Sequence, residues 1–407
     1  MNHTANRRTI LGLGLAAAIS GAGAAAAQAT SAAMTLSPTT GPVGTTVSVT
    51  GTGFPGLTTG SLTLGSNKVA LKTLKNGTFT ASIVVPAGTA AIAPVTAQVG
   101  RTTLSTNFTV AAAETSASLP PVSSALLRFG LIPAAGIAGS AEIDATSKLV
   151  GEQPALLLGY RDFQQAAPIA ELDAATTRGA IPMMTWEPWV AGAGAGAVQP
   201  AYTLAAIAAG NFDTYITQWG AGLASWGKPV MLRFAHEMNG DWYPWCETVN
   251  GNQPGDYIRA WQHVHDLVTA AGAFNVTWVW APNGGGPGDM AAMYPGDGYV
   301  DVLGLDAYNW GTTQSWSSWQ SPDALFGYWL DQLRVIAPGK QIIITETAST
   351  ETGGSKADWN TSLVPYLNSQ PDVTGFIWFN LNKETDWRIE SSTASSNAFT
   401  AALAARR

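Results

Sequence analysis

Two kinds of hydrophobic pattern follow one another along the chain. Between residues 34 and 111, apolar residues alternate with Thr and Ser in short runs broken by Gly, Pro and Asn. Examples are Thr46-Val47-Ser48-Val49-Thr50, Ser61-Leu62-Thr63-Leu64, residues 78–85 and Asn107-Phe108-Thr109-Val110. Period-two alternation sends one set of side chains into a core and the other into water, so these runs predict half-buried strands. Their number and spacing predict a small immunoglobulin-like β-sandwich. From residue 126 the apolar runs become continuous: 127–132, 155–160, 181–186, 229–234, 276–280, 300–305, 341–345 and 375–379. Strands covered on both faces read this way. Segments between them, such as 256–271 and 323–336, place apolar residues at helical spacing. Eight strand–helix repeats over residues 126–407 predict an α/β chain folded as a (β/α)8 TIM barrel, for which ~250 residues is usual.

Composition sharpens the division. All 16 tryptophans and all 10 tyrosines lie beyond residue 125. The opening of the first unit, Leu36-Ser37-Pro38-Thr39-Thr40-Gly41-Pro42-Val43-Gly44 followed by Thr50-Gly51-Thr52-Gly53-Phe54, resembles the IPT/TIG modules. Lacking Trp and Tyr, it has no stacking surface for sugars and is expected to be a spacer or interaction module. Residues 112–125, with Pro120-Pro121, read as a linker of small residues. Residues 1–29 read as an export signal of the twin-arginine or general secretory type. Arg7 and Arg8 precede an apolar stretch, and Ala27-Gln28-Ala29 supplies a cleavage site. The expectation is a secreted monomer.

Charge and cysteine content remove whole classes of function. A net charge of −7 offers no surface to nucleic acid or anionic lipid. The single cysteine, Cys246, excludes an intrachain disulfide. Of four histidines, His263 and His265 stand two apart on a predicted helix and diverge, so no catalytic metal is expected, and no cofactor. The run Gly284-Gly285-Gly286-Pro287-Gly288 has no following Lys-Ser/Thr and reads as a flexible loop at the rim.

The chemistry-bearing residues stand where barrel enzymes keep theirs, at the C-terminal ends of strands. Glu237 lies in Arg233-Phe234-Ala235-His236-Glu237-Met238-Asn239-Gly240-Asp241-Trp242, and Glu346 in Ile342-Ile343-Ile344-Thr345-Glu346. Residues two apart on a strand share a face, so Arg233, Ala235 and Glu237, and likewise Ile344 and Glu346, are expected to point into one barrel mouth. Two carboxyls brought together can cleave a glycosidic bond, one as proton donor and one as nucleophile. Arg233 is expected either to partner one of them or to hold the barrel layers as a buried ion pair. Trp186, Trp242, Trp310, Trp378 and Trp387 are close enough to strand ends to line a sugar-binding cleft, whereas Trp278 and Trp280 lie within a strand and read as packing. Glu187 is a third strand-end carboxyl, expected to support the site.

The segment from Arg233 to Trp245 resembles the acid/base motif of glycoside hydrolase family 26. The resemblance extends through Gly304-Leu305-Asp306-Ala307-Tyr308-Asn309 and Thr385-Asp386-Trp387-Arg388 and covers about residues 126–390. It implies that Glu237 is the proton donor and Glu346 the nucleophile. It also implies that His236, Trp242, Asp306, Tyr308, Trp387 and Arg388 surround the sugar. The implied activity is that of a retaining endo-β-glycosidase on a polysaccharide, with β-1,4-mannan first, mixed-linkage β-1,3-1,4-glucan second and β-1,3-xylan third. A non-catalytic glycan-binding barrel and a transglycosylase are the alternatives.

Overall fold

A computed structural model describes residues 31–41, 45–86, 89–110, 126–192 and 198–406. The expected signal at 1–29 and linker at 112–125 lie outside them.

Among the described residues the first unit contains eight strands: β1 (Ala33–Ser37), β2 (Thr40–Gly41), β3 (Thr46–Thr52), β4 (Thr59–Leu64), β5 (Asn67–Lys72), β6 (Phe79–Val84), β7 (Ile92–Val99) and β8 (Thr102–Val110). They form a three-stranded sheet, β1-β3-β6, and a five-stranded sheet, β2-β8-β7-β4-β5. The alternation works as expected. Val47, Val49, Leu62, Leu64, Val95, Val99 and Phe108 point inward to a single core, while the intervening Thr and Ser face outward. Strands β1, β5 and β7 were not legible as separate runs. Pro94 and several alanines dilute the β7 pattern.

The second unit is a closed barrel. Its strands are β9 (Arg128–Pro133), β10 (Leu156–Asp162), β11 (Ile181–Glu187), β12 (Val230–Phe234), β13 (Val276–Trp280), β14 (Val302–Asp306), β15 (Ile342–Thr347) and β16 (Val373–Asn380). Each pairs in parallel with its neighbours, and β16 closes on β9 from Gly375↔Arg128 to Asn380↔Pro133. The helices are α1 (Ser140–Val150), α2 (Ile169–Thr177), α3 (Leu204–Ala208), α4 (Asp213–Trp226), α5 (Asp256–Ala270), α6 (Pro322–Ile336), α7 (Lys356–Asn368) and α8 (Thr393–Ala405). One crossover departs from strict repetition. Between β13 and β14 the described chain has only a 3-10 turn at Ala291–Met293, while α3 and α4 share the crossover before β12.

Continuous apolar runs become strands because both faces are covered. Every residue of β12 to β16 is buried. Removing one such Leu, Ile or Val side chain from water contributes about 1.5–3 kcal/mol. Helix α5 shows the complementary logic: Tyr257, Ala260, Trp261, Val264 and Val268 recur at helical spacing and face the barrel. Helices α6, α7 and α8 start on Ser321, Ser355 and Ser392, whose hydroxyls accept from the backbone N–H three residues on. Among the described residues, no helix is long and apolar enough to cross a membrane.

Candidate active site

Arg233 organises the C-terminal mouth of the barrel. Projecting inward from β12, it is wholly enclosed, and its guanidinium uses its fork of donors on three other strands, β11, β14 and β15. Nε donates to Thr185 Oγ1 at 2.9 Å, Nη1 to Asp306 Oδ2 at 2.5 Å, and Nη2 to Glu346 Oε1. Burial works against its charge, but the Asp306 and Glu346 carboxylates outweigh it and hold the pKa well above the ordinary value. Thr345 Oγ1 donates to the other Asp306 oxygen at 2.5 Å. Arg233 therefore fills both expected roles: it is a buried ion pair, and it partners a catalytic candidate.

Glu346 collects two further donors. Tyr160, at the end of β10, donates its hydroxyl to Oε1 at 2.7 Å, and Tyr308 donates to Oε2 at 2.5 Å. Burial first, then Glu346 itself, pushes both phenols well above their usual range, so both stay protonated as donors. A carboxylate, which only accepts, suits this shell of one guanidinium and two phenols.

Glu237 has different neighbours. Its oxygens accept from Asn283 Nδ2 at 2.7 Å and Trp242 Nε1 at 2.8 Å, both neutral donors. Burial, reinforced by the charge of Glu346, pushes its pKa up to about 7. One face of the mouth thus keeps a proton near neutrality while the other carries the cation. The consequence is a rate profile: if Glu237 must be protonated to act, kcat/KM falls as pH rises through about 7. Asn283 favours the charged form, so Asn283→Ala should move that limb to higher pH. A pH–rate series on both proteins checks this, and a limb left in place by the substitution would refute the assignment.

Local backbone geometry brings Glu237 there, though not by the expected route. Strand β12 ends at Phe234, and Ala235 and Glu237 adopt left-handed φ values of 46° and 52°. Alternation stops at Phe234, so Arg233 and Glu237 do not share a strand face. The Glu237 N–H donates to the Ala281 carbonyl at 2.8 Å, tying the turn to the end of β13. Register also shifts along β15 between Ile344 and Thr347, which frees Glu346 from simple alternation.

Residues 207–329 match the model of glycosyl hydrolase family 26. Endoglucanase H of Acetivibrio thermocellus is 42% identical over 253 residues, covering 60% of this chain and 26% of that protein. This stretch of the barrel therefore resembles glycosyl hydrolase family 26. A mannan endo-1,4-beta-mannosidase of Bacillus subtilis is 30% identical over 163 residues, covering 39% of this chain and 41% of the relative. The chain thus spans well under half the length of either relative. A Bacillus subtilis mannanase structure superposes with a TM-score of 0.53 at 19% identity, over 70% of this chain and 88% of that one, and shares the fold.

The aromatic residues of the barrel form two groups beside the carboxyls. The first holds Trp189, His236, Trp242, Tyr243 and Trp245, with Tyr243 stacked on Trp245 at 4.3 Å. His236 is buried and its Nδ1 has no hydrogen-bond partner among the described residues. Burial, then Arg233, holds its imidazole well below the usual range, so it is neutral. The second group holds Tyr308, Trp310, Trp316, Phe379 and Trp387. Arg388 is accessible and forked onto Asp386 at 2.7 and 2.8 Å.

Several expectations need correction. Trp186 does not line the cleft. It points away from the barrel interior and stacks on Trp219 of α4 at 4.3 Å, because its neighbours Thr185 and Glu187 take the inward positions. Trp378 likewise faces the helices, against Trp359 and Phe399. Asp306 is fully enclosed and serves Arg233, with no surface for a sugar. Trp387 is 1% exposed. Its ring supports Tyr308 and Trp310, and its Nε1 donates to Glu384 at 3.2 Å. Trp278 and Trp280 pack against Trp261 and Tyr294, as expected of filler. Glu187 is buried, accepts from Trp189 Nε1 at 3.2 Å, and is pushed up to about 7 by burial.

Sequence reasoning missed Tyr160, Asn239 and Asn283. Asn239 and Asn283 clasp each other: Asn239 Nδ2 donates to the Asn283 carbonyl, and Asn283 N–H donates to Asn239 Oδ1, both at 2.8 Å. The glycine-rich run completes this clasp and is not a free rim loop. Gly288 N–H donates to the Asn239 carbonyl at 2.8 Å, and a Cβ on Gly286 would stand 2.6 Å from Asn239 Nδ2.

Proposed function

We propose that this barrel is a retaining endo-β-glycosidase that cleaves a polysaccharide by double displacement. The unequal surroundings of its two mouth carboxyls carry the reading: Arg233 and two phenols on Glu346, an amide and an indole on Glu237. Glu346 attacks the anomeric carbon through Oε2, which has the fewer donors. The bond to the leaving oxygen breaks, and that oxygen takes the proton of Glu237. Glu237, now a carboxylate, takes a proton from water. The water oxygen bonds to the anomeric carbon and releases Glu346. Tyr308 and Tyr160 hold the nucleophile, and neutral His236 faces the sugar. Trp242, 38% exposed beside Glu237, offers a ring face to the leaving side.

The mannosidase similarity makes β-1,4-mannan the first substrate to test. The longer and higher-identity match to an endoglucanase favours β-glucan as a second reading. Reducing-sugar release from purified mannan, mixed-linkage glucan and β-1,3-xylan decides between them, and proton NMR of the first product should show the β-anomer. No release from any of these, or an α-anomer as first product, would count against the mechanism. We further propose secretion through the segment at 1–29, and an IPT/TIG-like spacer role for the N-terminal unit.

A further inference from the structure

Among the described residues only two tryptophans are exposed, Trp242 and Trp316, and each belongs to a different one of the two aromatic groups. Trp242 already has a place beside Glu237. Trp316, 71% exposed, has no role in folding that its surroundings explain. An indole left this open forgoes most of the burial that places large aromatic side chains in cores.

Its position is built. The stretch following β14 carries Trp310 and Trp316, and it is closed by its own hydrogen bonds. Thr313 Oγ1 donates to the Trp310 carbonyl at 2.7 Å, and Ser317 Oγ donates to the Gly311 carbonyl at 2.8 Å. The Gln320 N–H donates to Asn309 Oδ1 at 3.1 Å. Gly311 has a φ of 53°, and a Cβ there would lie 1.9 Å from the Thr352 carbonyl oxygen, so only glycine lets this stretch lie against the one after β15. Trp316 then meets Trp310 in a T-shaped contact at 5.4 Å and keeps most of its surface open. The stretch is ordered before any ligand arrives, which reduces the entropy lost on binding.

The direction of the aromatic line identifies the occupant. From Glu346 it runs to Tyr308, whose hydroxyl bonds the carboxylate, then to Trp310 at 6.3 Å and Trp316 at a further 5.4 Å. These steps are comparable with the length of one pyranose. We infer that Trp316 is an outer sugar platform on the nucleophile side of the cleft, stacking a β-linked pyranose about two rings beyond the one bonded to Glu346. The inference rests on the glycosidase reading above and adds that the enzyme prefers long glycone segments.

The experiment compares kcat/KM on trisaccharides and hexasaccharides of both β-1,4-mannan and mixed-linkage glucan, using the whole chain. In Trp316→Ala the ratio of hexasaccharide to trisaccharide kcat/KM should fall about tenfold, mainly through KM. Trp316→Phe, which keeps a flat ring, should recover most of it. An unchanged ratio, or an equal loss on both lengths, overturns the platform. A wild-type enzyme that cleaves neither series, nor a matching β-1,3-xylan series, overturns the glycosidase reading instead, so the two failures are distinguishable.

Discussion

Replacing Glu346 with alanine should reduce glycan cleavage by about 10⁵-fold, because it removes the carboxyl that Arg233 and two phenols hold in place to bond the anomeric carbon. The companion Glu237→Ala should lose about 10²–10⁴-fold on polysaccharide, and less on aryl glycosides whose leaving group needs no proton. Added azide separates the roles. In Glu346→Ala it occupies the space of the lost carboxylate and attacks the free substrate, giving an α-glycosyl azide. In Glu237→Ala it attacks the sugar already bonded to Glu346 from the opposite face, giving a β-glycosyl azide. The azide anomers can be assigned by NMR. Interchanged anomers would reverse the assignment, and near-normal cleavage by Glu346→Ala would remove Glu346 from the chemistry. A protein that still binds glycan after losing turnover shows that the fold survived.

Arg233→Met should cost the barrel about 3–5 kcal/mol, since it leaves Asp306 and Glu346 enclosed without their counter-charge. The deficit should shrink in acid, where Asp306, whose pKa burial pushes well above the ordinary value, takes up a proton and no longer needs a cation. Urea unfolding followed by tryptophan fluorescence measures this cleanly, because every tryptophan lies in the barrel and the N-terminal unit contributes no signal. Arg233→Lys should recover only part of the loss: an ammonium is a point charge and cannot reach Thr185, Asp306 and Glu346 with one planar fork. A deficit below about 1 kcal/mol would mean that Asp306 is already neutral in the native protein.

The barrel was legible because parallel strands covered on both faces write themselves as uninterrupted apolar runs, each with polar chemistry just past its end. The same property hid which way single residues point. Where both faces are apolar, a tryptophan fits either, so Trp186 and Trp378 could not be placed by hydrophobicity. A usable signal existed: Trp186 adjoins Glu187, and adjacent strand residues face opposite ways. Tyr160 ends an apolar run and carries no motif of its own, although a hydroxyl at a barrel strand end needs a partner. Asn283 carries no hydrophobic signal and stands directly before the glycine run. Those glycines record close approach to Asn239, a contact that appears only once the loops after β12 and β13 are brought side by side. In the N-terminal unit, alternation was clear wherever Val and Leu mark the inward positions, and faint in β7, where alanine does.

The left-handed turn at Glu237 sets selection for durability against selection for turnover. A residue with a side chain is held at a φ that disfavours it by roughly 1–2 kcal/mol, and that side chain is a carboxyl sealed among rings. Glycine at this position would relieve both penalties at once. Directed evolution of this enzyme on heat tolerance alone would therefore drift toward sturdier, silent descendants, and any such campaign needs an activity screen in every round.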